Sequence, residues 1–564
     1  MIVLDRDTSD VWLLDLADRV PRRLTTGRDP MPYWEDTEPR ASPGGTSVAY
    51  GDQGAVWLVP AAGGPPRRLV AGGSPVWLGP GRLAISVEQE EATRLGLVDV
   101  DDPWPQRLTR AHGDLDPAGD EWYANAAPDD ASVAYVFAPH DDLNRTEIRV
   151  VDVASGAVRA VTGAAGTRDT SPAWSPDGAT LAYTSDSSGW AEVHVVAADG
   201  TGARALTREG ADFSELRWHP DGDRLVAVRG RRGVFDLVLV DADTGDVTEL
   251  APGGTWGSPC WTADGAILAT YEDQATAPQL RLVAPGSAPE PVLAPTPLAV
   301  AEAPHVRPEE IMFRSFDGVE VAAWLLRPPG ASADRPAPAV VYPHGGPIEA
   351  YGDYWDGHAQ YFVDKGYAWL APNYRGSTGY GRDFERLLHG RIGVDDVRDC
   401  LAAADHLRTL DWVDGDRLAV FGASWGSFIA LLAVTDDPER RFRCAVCKYG
   451  DCDLRTSWAQ GDRDGVLRSL ENFVGSPADS PEAYAAGSAV GRLANVRVPI
   501  LVAHGELDER VSPKQSEELV AELRRLGKTY EYVTYPTEAH GFLRAGPQVD
   551  FYRRLERFLD WHLL

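Results

Sequence analysis

A repeated pattern of paired short strands fills the first half of the chain and limits its fold more than any other feature. Each unit contains a hairpin of two apolar strands. The hairpins begin about 39 to 52 residues apart, near Val11, Val56, Leu95, Glu147, Glu192, Asp236 and Gln279. A period in the forties, with about four short strands per unit, is typical of a β-propeller. We therefore predict an all-β propeller over residues 1–295 with seven blades, six or eight being the alternatives.

A turn motif accompanies the hairpins. Strong copies occupy residues 174–178, 218–222 and 261–265, and weaker ones residues 41–45, 78–81 and 127–130. In the strongest copies proline presets φ, and glycine accepts the positive φ that a tight turn needs. Six turns accompany seven hairpins because the chain starts partway through the first unit. We expect the first blade to be short of a strand, and how the ring closes there is left open.

The pattern changes after the repeats. Residues 284 to about 308 are rich in proline and alanine, and we place a linker at 296–308. Residues 309–564 then begin with a hairpin around Asp317-Gly318 and continue with alternating strands and helices. These include a strand at 367–371, an amphipathic helix at 394–410 and a closing helix at 551–563. Such alternation predicts a mainly parallel, doubly wound sheet.

The most specific motif is Gly422-Ala423-Ser424-Trp425-Gly426, which lies between the apolar runs 418–421 and 428–432. A strand, Gly-x-Ser-x-Gly and a helix form the nucleophile elbow of α/β-hydrolases. Because a serine hydroxyl is a weak nucleophile, it needs a base beside it. Asp508 follows the apolar run at 499–503, and His540 follows the predicted strand at 530–535. The order Ser424, Asp508, His540 is that of an α/β-hydrolase triad, which we predict for 309–564.

Each predicted residue has a chemical role. His540 would take the Ser424 proton and return it to the leaving group, and Asp508 would orient and stabilise the imidazole. The reaction also creates an oxyanion, which needs preorganised donors. The strand at 339–342 leads into His344-Gly345-Gly346-Pro347, which we expect to supply one backbone N–H. Trp425, the residue after the nucleophile, should supply the second.

Composition excludes several function classes. The net charge of −31 repels phosphate backbones and anionic membranes, so we predict neither a nucleic-acid partner nor membrane association. The sequence contains no run of about 18 apolar residues, and its first residues lack the pattern of a signal peptide. The five cysteines, an odd number without a sign of export, favour reduced thiols in the cytoplasm.

The cysteine spacing raises the alternative of a zinc site. Cys444 and Cys447 are separated by two residues, and Cys452 lies nearby. The intervening Ala445-Val446 resembles a buried strand, and no second ligand pair has the required spacing. We therefore predict no metal and no cofactor.

Five strings together resemble the prolyl oligopeptidase family of serine peptidases. The resemblance covers nearly the whole chain and is closest to the acylaminoacyl-peptidase and dipeptidyl-aminopeptidase-like branch. The strings are His344-Gly345-Gly346-Pro347, Asn373-Tyr374-Arg375-Gly376-Ser377-Thr378-Gly379-Tyr380-Gly381, Gly422-Ala423-Ser424-Trp425-Gly426-Ser427, His504-Gly505-Glu506-Leu507-Asp508-Glu509-Arg510-Val511, and His540-Gly541-Phe542.

The resemblance implies further roles. Gly346 and Trp425 would give the oxyanion N–H groups, and Arg510 would contact substrate carbonyls. The alternative for Arg510 is a surface salt bridge with Glu506 or Glu509. Ser427 departs from the pattern, since many relatives carry glycine there, and we expect it to tighten the turn without touching the chemistry. The family also implies that the propeller admits only short peptides to the triad.

The predicted function is a serine peptidase that cleaves short peptides through an acyl-enzyme. One alternative is an esterase or amidase that acts on a small metabolite or peptide-like natural product with the same triad. The other is an inactive hydrolase whose propeller binds a partner. The sequence leaves open the cleavage-site preference and whether the enzyme acts as an exopeptidase or an endopeptidase. A homo-oligomer is also compatible with it.

Overall fold

A computed structural model describes residues 2–5, 8–28, 39–89, 92–110, 118–462 and 466–564. The chain divides into two compact units. The first comprises residues 1–230, 235–271 and 279–295, and the second comprises 231–234, 272–278 and 296–564.

Within the described ranges the repeats fold into the predicted β-propeller, with seven antiparallel blades. Among the described residues the first blade has three strands, as expected, and each later blade has four. A single parallel pair, Phe235 with Thr255, joins blades six and seven into one continuous sheet. The strands of blades one to three are Ile2–Asp5, Thr8–Leu14 and Pro21–Arg23; Arg40–Ala41, Ser47–Asp52, Ala55–Pro60 and Arg67–Ala71; Gly73–Trp77, Arg82–Gln89, Ala92–Asp99 and Gln106–Arg107.

The remaining blades follow the same up-and-down order. Their strands are Gly119–Ala126, Ser132–Pro139, Glu147–Asp152 and Val158–Ala160; Asp169–Trp174, Thr180–Ser185, Glu192–Ala197 and Arg204–Ala205; Asp212–Trp218, Arg224–Arg231, Val234–Asp241 and Val247–Ala251; Thr255–Trp261, Ile267–Asp273, Thr276–Val283 and Glu290–Leu293.

The tryptophans of the repeat link neighbouring blades. In four blades the indole N–H of the tryptophan that ends the first strand donates to a backbone carbonyl of the preceding blade. The bonds run from Trp77 to Arg40 (2.9 Å), Trp174 to Asn125 (3.2 Å), Trp218 to Ala173 (3.0 Å) and Trp261 to Arg217 (3.1 Å). Because a buried indole N–H needs an acceptor, this contact explains why tryptophan recurs beside the turn.

The second unit is built on an eight-stranded sheet with the order β1-β2-β4-β3-β5-β6-β7-β8. β1 and β2 form the predicted antiparallel hairpin, β2 pairs antiparallel with β4, and the six strands β3 to β8 run parallel. The strands are β1 Glu309–Arg314, β2 Glu320–Leu326, β3 Ala337–Val341, β4 Ala368–Pro372, β5 Val413–Ala423, β6 Phe442–Lys448, β7 Ile500–Gly505 and β8 Tyr530–Tyr535.

Helices cover both faces of this sheet. Side chains of β3 alternate between two buried clusters. Val340 lies in the cluster with the helices at 357–364 and 545–563, and its neighbours Ala339 and Val341 lie in the cluster with the helices at 395–408, 425–435 and 514–525. The helices are α1 Leu298–Ala301, α2 Gly357–Asp364, α3 Arg382–Arg386, α4 Asp395–Arg408, α5 Trp425–Thr435, α6 Leu454–Gln460, α7 Arg468–Val474, α8 Pro481–Gly487, the 3-10 helix Val490–Asn495, α9 Lys514–Arg525 and α10 Ala545–Leu563. The closing helix α10 begins at Ala545, before the predicted start at residue 551, and ends at Leu563 as predicted.

Two features are absent from the described ranges. No helix there has the length and apolar character needed to cross a bilayer. No group of three or more His, Cys, Asp or Glu side chains is arranged there to hold a metal ion. Cys444 and Cys447 lie in the buried strand β6, and all five cysteines are free thiols.

Candidate active site

The turn between β5 and α5 presents the predicted nucleophile. Ser424 has φ 55° and ψ −125°, a conformation that costs a non-glycine residue about 1 to 3 kcal/mol. Both motif glycines are required by close backbone contacts. A Cβ atom on Gly422 would lie 2.0 Å from the carbonyl oxygen of Gly426, and one on Gly426 would lie 2.0 Å from that of Pro343. This turn therefore needs both glycines of the motif, because a side chain at either position would clash with a backbone carbonyl.

The structure brings the three predicted catalytic side chains into one hydrogen-bonded chain. Nε2 of His540 lies 2.9 Å from Oγ of Ser424, and Nδ1 of His540 lies 2.7 Å from Oδ2 of Asp508. With its proton on Nδ1, the imidazole donates to the carboxylate and accepts from the serine hydroxyl. This arrangement suits removal of the serine proton.

The loop after β7 holds Asp508 as a carboxylate. Its Oδ1 accepts from the backbone N–H groups of Arg510 (3.0 Å) and Val511 (2.9 Å), and Nε2 of His504 lies 3.5 Å from Oδ2. Burial by itself would raise the pKa of Asp508. The hydrogen bonds and charges of His504 and His540 outweigh burial and lower this pKa to about 2. Asp508 is therefore ionised wherever the protein is folded at ordinary pH.

Tyr449 packs against the imidazole of His540 from the end of β6. Its ring lies 4.6 Å from that of His540 and 5.0 Å from that of Phe542. Tyr449 adopts a positive φ of 41°. Sequence analysis missed this residue because an aromatic residue at a strand end carries no pattern of its own.

Trp425 is held by its side chain as well as by its helix. As the first residue of α5, it has a backbone N–H without an acceptor inside the helix. Its indole Nε1 donates to Oδ2 of Asp396 at 3.2 Å, and burial raises the pKa of Asp396 to about 7. Sequence analysis did not identify Asp396. The sequence signal that could have pointed to Asp396 was its position as an acidic residue within the amphipathic helix predicted at 394–410.

The glycine-rich loop lies against the nucleophile. A Cβ atom on Gly345 would lie 3.6 Å from Cβ of Ser424, and Gly346 adopts φ +116°, which favours glycine. Nε2 of His344 lies 2.8 Å from Oγ of Ser377 and ties the loop to the segment after β4. The loop thus lies beside Ser424 and the start of α5, where the sequence predicts the donors to an oxyanion.

Ser427 fits because Gly450 faces it. Ser427 is buried, and a Cβ atom on Gly450 would lie 2.3 Å from its Oγ and 2.8 Å from the carbonyl oxygen of Ser424. The extra hydroxyl occupies the space that a side chain at position 450 would need. The departure from the family pattern is therefore accommodated by a glycine on the neighbouring strand end.

Replacing Gly450 with alanine tests this packing. We expect Gly450→Ala to lower the stability of the folded protein by about 1 to 3 kcal/mol, because the added methyl overlaps Ser427. Thermal unfolding followed by circular dichroism measures the effect. Adding Ser427→Gly should restore part of the lost stability, since only the contact with Ser424 remains. An unchanged unfolding temperature for Gly450→Ala would contradict the contact.

Arg510 projects from the loop that carries Asp508. One of its guanidinium nitrogens lies 3.5 Å from Oδ2 of Asp462, and its side chain is 36% exposed. This partner differs from Glu506 and Glu509, the two residues that the sequence suggested as alternatives. Glu506 instead accepts from Thr534 at 2.7 Å.

Comparison with known families matches both halves of the chain. Residues 354–564 match the prolyl oligopeptidase family, and residues 123–294 match the TolB beta propeller domain. Dipeptidyl-peptidase 5 of Porphyromonas gingivalis is 24% identical over 77% of this chain and 66% of its own length. The human acylamino-acid-releasing enzyme is 27% identical over 61% of this chain and 50% of its own. The chain thus matches less than two thirds of the length of these curated relatives.

Solved structures share the two-domain fold. A puromycin-hydrolyzing peptidase of Mycobacterium tuberculosis superimposes with a TM-score of 0.87 at 23% identity, covering 99% of this chain and 91% of that one. An acylaminoacyl peptidase of Pyrococcus horikoshii superimposes with a TM-score of 0.74 at 19% identity, covering 98% of this chain and 94% of that one. At such identities the likeness establishes the propeller and α/β-hydrolase architecture.

Proposed function

We propose that the protein is a serine peptidase that hydrolyses short peptides through an acyl-enzyme, and the match of residues 354–564 to the prolyl oligopeptidase family supports this. The observation that carries the proposal is the hydrogen-bonded chain from Ser424 through His540 to Asp508. Relatives named as acylamino-acid-releasing enzyme and dipeptidyl-peptidase support a peptide substrate.

The proposed reaction begins with proton transfer. Nε2 of His540 takes the hydroxyl proton as Oγ of Ser424 attacks the scissile carbonyl carbon, and Asp508 stabilises the resulting imidazolium. The imidazolium then gives this proton to the leaving nitrogen, and the C–N bond breaks. Water repeats the sequence on the acyl-enzyme: His540 takes a water proton, the hydroxide attacks the ester carbon, and Ser424 leaves with the proton.

The backbone N–H groups of Gly346 and Trp425 are the proposed donors to the oxyanion. Both tetrahedral intermediates place their negative oxygen between the glycine-rich loop and the start of α5. The bond from Trp425 to Asp396 supports this role because it fixes the first turn of α5. The helix N-terminus adds a partial positive charge at the same place.

A substrate panel tests the proposal. The panel contains 4-nitroanilides of aminoacyl, acylaminoacyl and dipeptidyl groups together with simple 4-nitrophenyl esters. We expect hydrolysis of at least one anilide class. Cleavage of esters alone would favour an esterase of a small metabolite. No turnover, with no labelling by a fluorophosphonate probe, would favour an inactive hydrolase with a binding propeller.

We propose that Arg510 binds a substrate carbonyl. Its position on the loop of Asp508 and its partial exposure support this role. Arg510→Ala should lower kcat/KM for a peptide anilide by about tenfold or more, because a charged hydrogen bond is lost. The loss for a small activated ester, which has no such carbonyl, should be smaller. Steady-state kinetics on both substrates make the comparison, and equal losses would refute the substrate role.

A reducing compartment is part of the proposal. Four of the five free cysteines are buried: Cys400, Cys444, Cys447 and Cys452. Burial raises the pKa of the Cys447 thiol to about 12, which keeps the thiol protonated and unreactive. A chain that keeps all its thiols free suits the cytoplasm.

A further inference from the structure

We propose that Lys448 is a positioning residue for the catalytic pair: its ammonium group holds the aromatic rings that pack against His540, and its backbone holds Ser424. The inference rests on the proposed acyl-enzyme mechanism and adds a charged group that organises the same site. Lys448 would act through these neighbours and only while it carries its proton, so the geometry of the site would depend on pH.

The backbone of Lys448 supports the nucleophile turn. Lys448 is the last residue of β6, and its carbonyl oxygen accepts the backbone N–H of Ser424 at 3.0 Å. It pairs with Ala423 of β5 on one side and with Ala503 of β7 on the other. The N–H of Tyr449 donates to the carbonyl oxygen of Ala503 at 2.7 Å. Neighbouring strands on both sides therefore fix Lys448 beside the nucleophile.

Four aromatic rings enclose the side chain of Lys448, which is 4% exposed. Its Nζ lies 4.8 Å from the ring centroid of Phe542, 4.9 Å from that of Phe551, 5.0 Å from that of Tyr449 and 5.2 Å from that of Tyr552. The face of an aromatic ring attracts a cation within about 6 Å. Because the rings belong to the end of β6, the histidine loop and α10, one charge connects three segments.

Two of these rings determine where the catalytic imidazole lies. The ring of Tyr449 lies 4.6 Å from that of His540, and Phe542 follows His540 by two residues with its ring 5.0 Å from that of Tyr449. An ammonium group that attracts both rings limits the positions open to the histidine loop. A small displacement of His540 from Ser424 is costly, because catalysis depends on closely aligned reacting groups.

The cage disfavours the charge that it holds. Burial lowers the pKa of Lys448 to about 7, and the charge of Glu538 opposes this shift only in part. Since the unfolded chain keeps the ordinary, higher pKa, the charged lysine destabilises the fold fully below pH 7, and this cost disappears as the pH rises toward the unfolded value. Above pH 7 the folded protein holds mainly the neutral amine, which loses the cation–π attraction.

Other titratable groups surround the cage. They are Glu538 and His540 on the histidine loop, Asp356 and His358 at the start of α2, Tyr449 at the end of β6 and Tyr552 on α10. All of them are present in the wild type and in a variant of Lys448 alike. A ratio of the two rates at one pH therefore removes their own titration and leaves that of Lys448.

Lys448→Met tests the role, because methionine keeps an unbranched, flexible side chain and removes the charge. At about pH 6 we expect kcat for a peptide anilide to fall by about tenfold with KM little changed, since the attraction to the rings is lost. The ratio of wild-type to variant kcat should shrink toward one by about pH 8.5, where the wild-type lysine has lost its proton. Steady-state kinetics across this range measure both effects.

The same variant should be more stable than the wild type at about pH 6. Removal of a buried charge that the fold disfavours should raise the unfolding temperature by a few degrees, as measured by circular dichroism. Lower stability together with lower kcat would indicate a merely structural lysine and overturn the inference. An unchanged kcat at about pH 6 would overturn it too, as would a ratio that stays constant with pH.

Lys365→Met is the matched control. Nζ of Lys365 also lies over an aromatic ring, 5.4 Å from the centroid of Tyr361, but its side chain is 43% exposed and forms an ion pair with Glu556 at 2.7 Å. This variant should keep the wild-type kcat at each pH and should not raise the unfolding temperature. A fall in kcat as large as that of Lys448→Met would show that the effect is not specific to the cage.

The two proposals fail in different ways, because labelling of Ser424 by a fluorophosphonate probe needs the catalytic pair and no peptide. If the wild type cleaves no anilide but Lys448→Met slows labelling at about pH 6, the peptidase function fails and the role of Lys448 stands. If anilides are cleaved while Lys448→Met keeps the wild-type rates of cleavage and labelling, only the role of Lys448 is lost. A wild type that neither cleaves nor labels would refute both.

Discussion

Ser424→Ala should lower kcat by about 10⁶-fold and abolish labelling by a fluorophosphonate probe. The nucleophile and its base act as a unit, so the loss of the hydroxyl removes the acyl-enzyme route altogether. Oγ of Ser424 is the atom that accepts the acyl group in the proposed reaction, and it lies 2.9 Å from Nε2 of His540. Anilide hydrolysis and gel-based labelling measure the two effects.

Ser427→Ala is the control for the same chemistry. Ser427 is a buried serine three residues after Ser424, and its side chain faces Gly450. It should keep labelling and most of the activity. Labelling that persists in Ser424→Ala, or that disappears in Ser427→Ala, would contradict the assignment of the nucleophile.

Asp508→Asn should lower kcat by about 10⁴-fold while leaving the fold intact. The amide can offer its NH₂ to Nδ1 of His540, which favours the tautomer that protonates Nε2 and blocks removal of the serine proton. It also cannot stabilise the imidazolium. Single-turnover hydrolysis of an anilide measures the loss. A reduction of less than tenfold would show that another group orients His540.

The same variant has a defined pH signature in stability. The folded pKa of Asp508, about 2, lies below the unfolded value. Ionisation of Asp508 therefore stabilises the fold by about 2 kcal/mol above pH 4, and this contribution is lost as the pH falls toward 2. The difference in unfolding temperature between wild type and Asp508→Asn should shrink over that range.

Several elements could be predicted because their cause is local. Proline, aspartate and glycine in the turn motif set the backbone angles there, so seven blades could be counted from the spacing. The elbow around Ser424 is equally local, since Gly422 and Gly426 avoid clashes within one turn. The order of Ser424, Asp508 and His540 indicated which loops should meet because parallel strands end at one edge of the sheet.

Other features could not be predicted because distant segments create them. The repeat does not show that each tryptophan donates to the preceding blade. Asp396 holds Trp425 only because α4 packs beside α5. The ion pair of Arg510 with Asp462, rather than with a neighbour in sequence, depends on how two loops approach each other.

The sequence by itself thus determined the propeller, the hydrolase sheet and the residues proposed for the triad, because periodicity, turn chemistry and strand ends act over a few residues. Only the tertiary structure decided what surrounds those residues. The ionised state of Asp508 and the packing of Tyr449 against His540 each arise from burial and contacts between segments far apart in the chain. Desolvation and packing are properties of the assembled fold, and no local pattern records them.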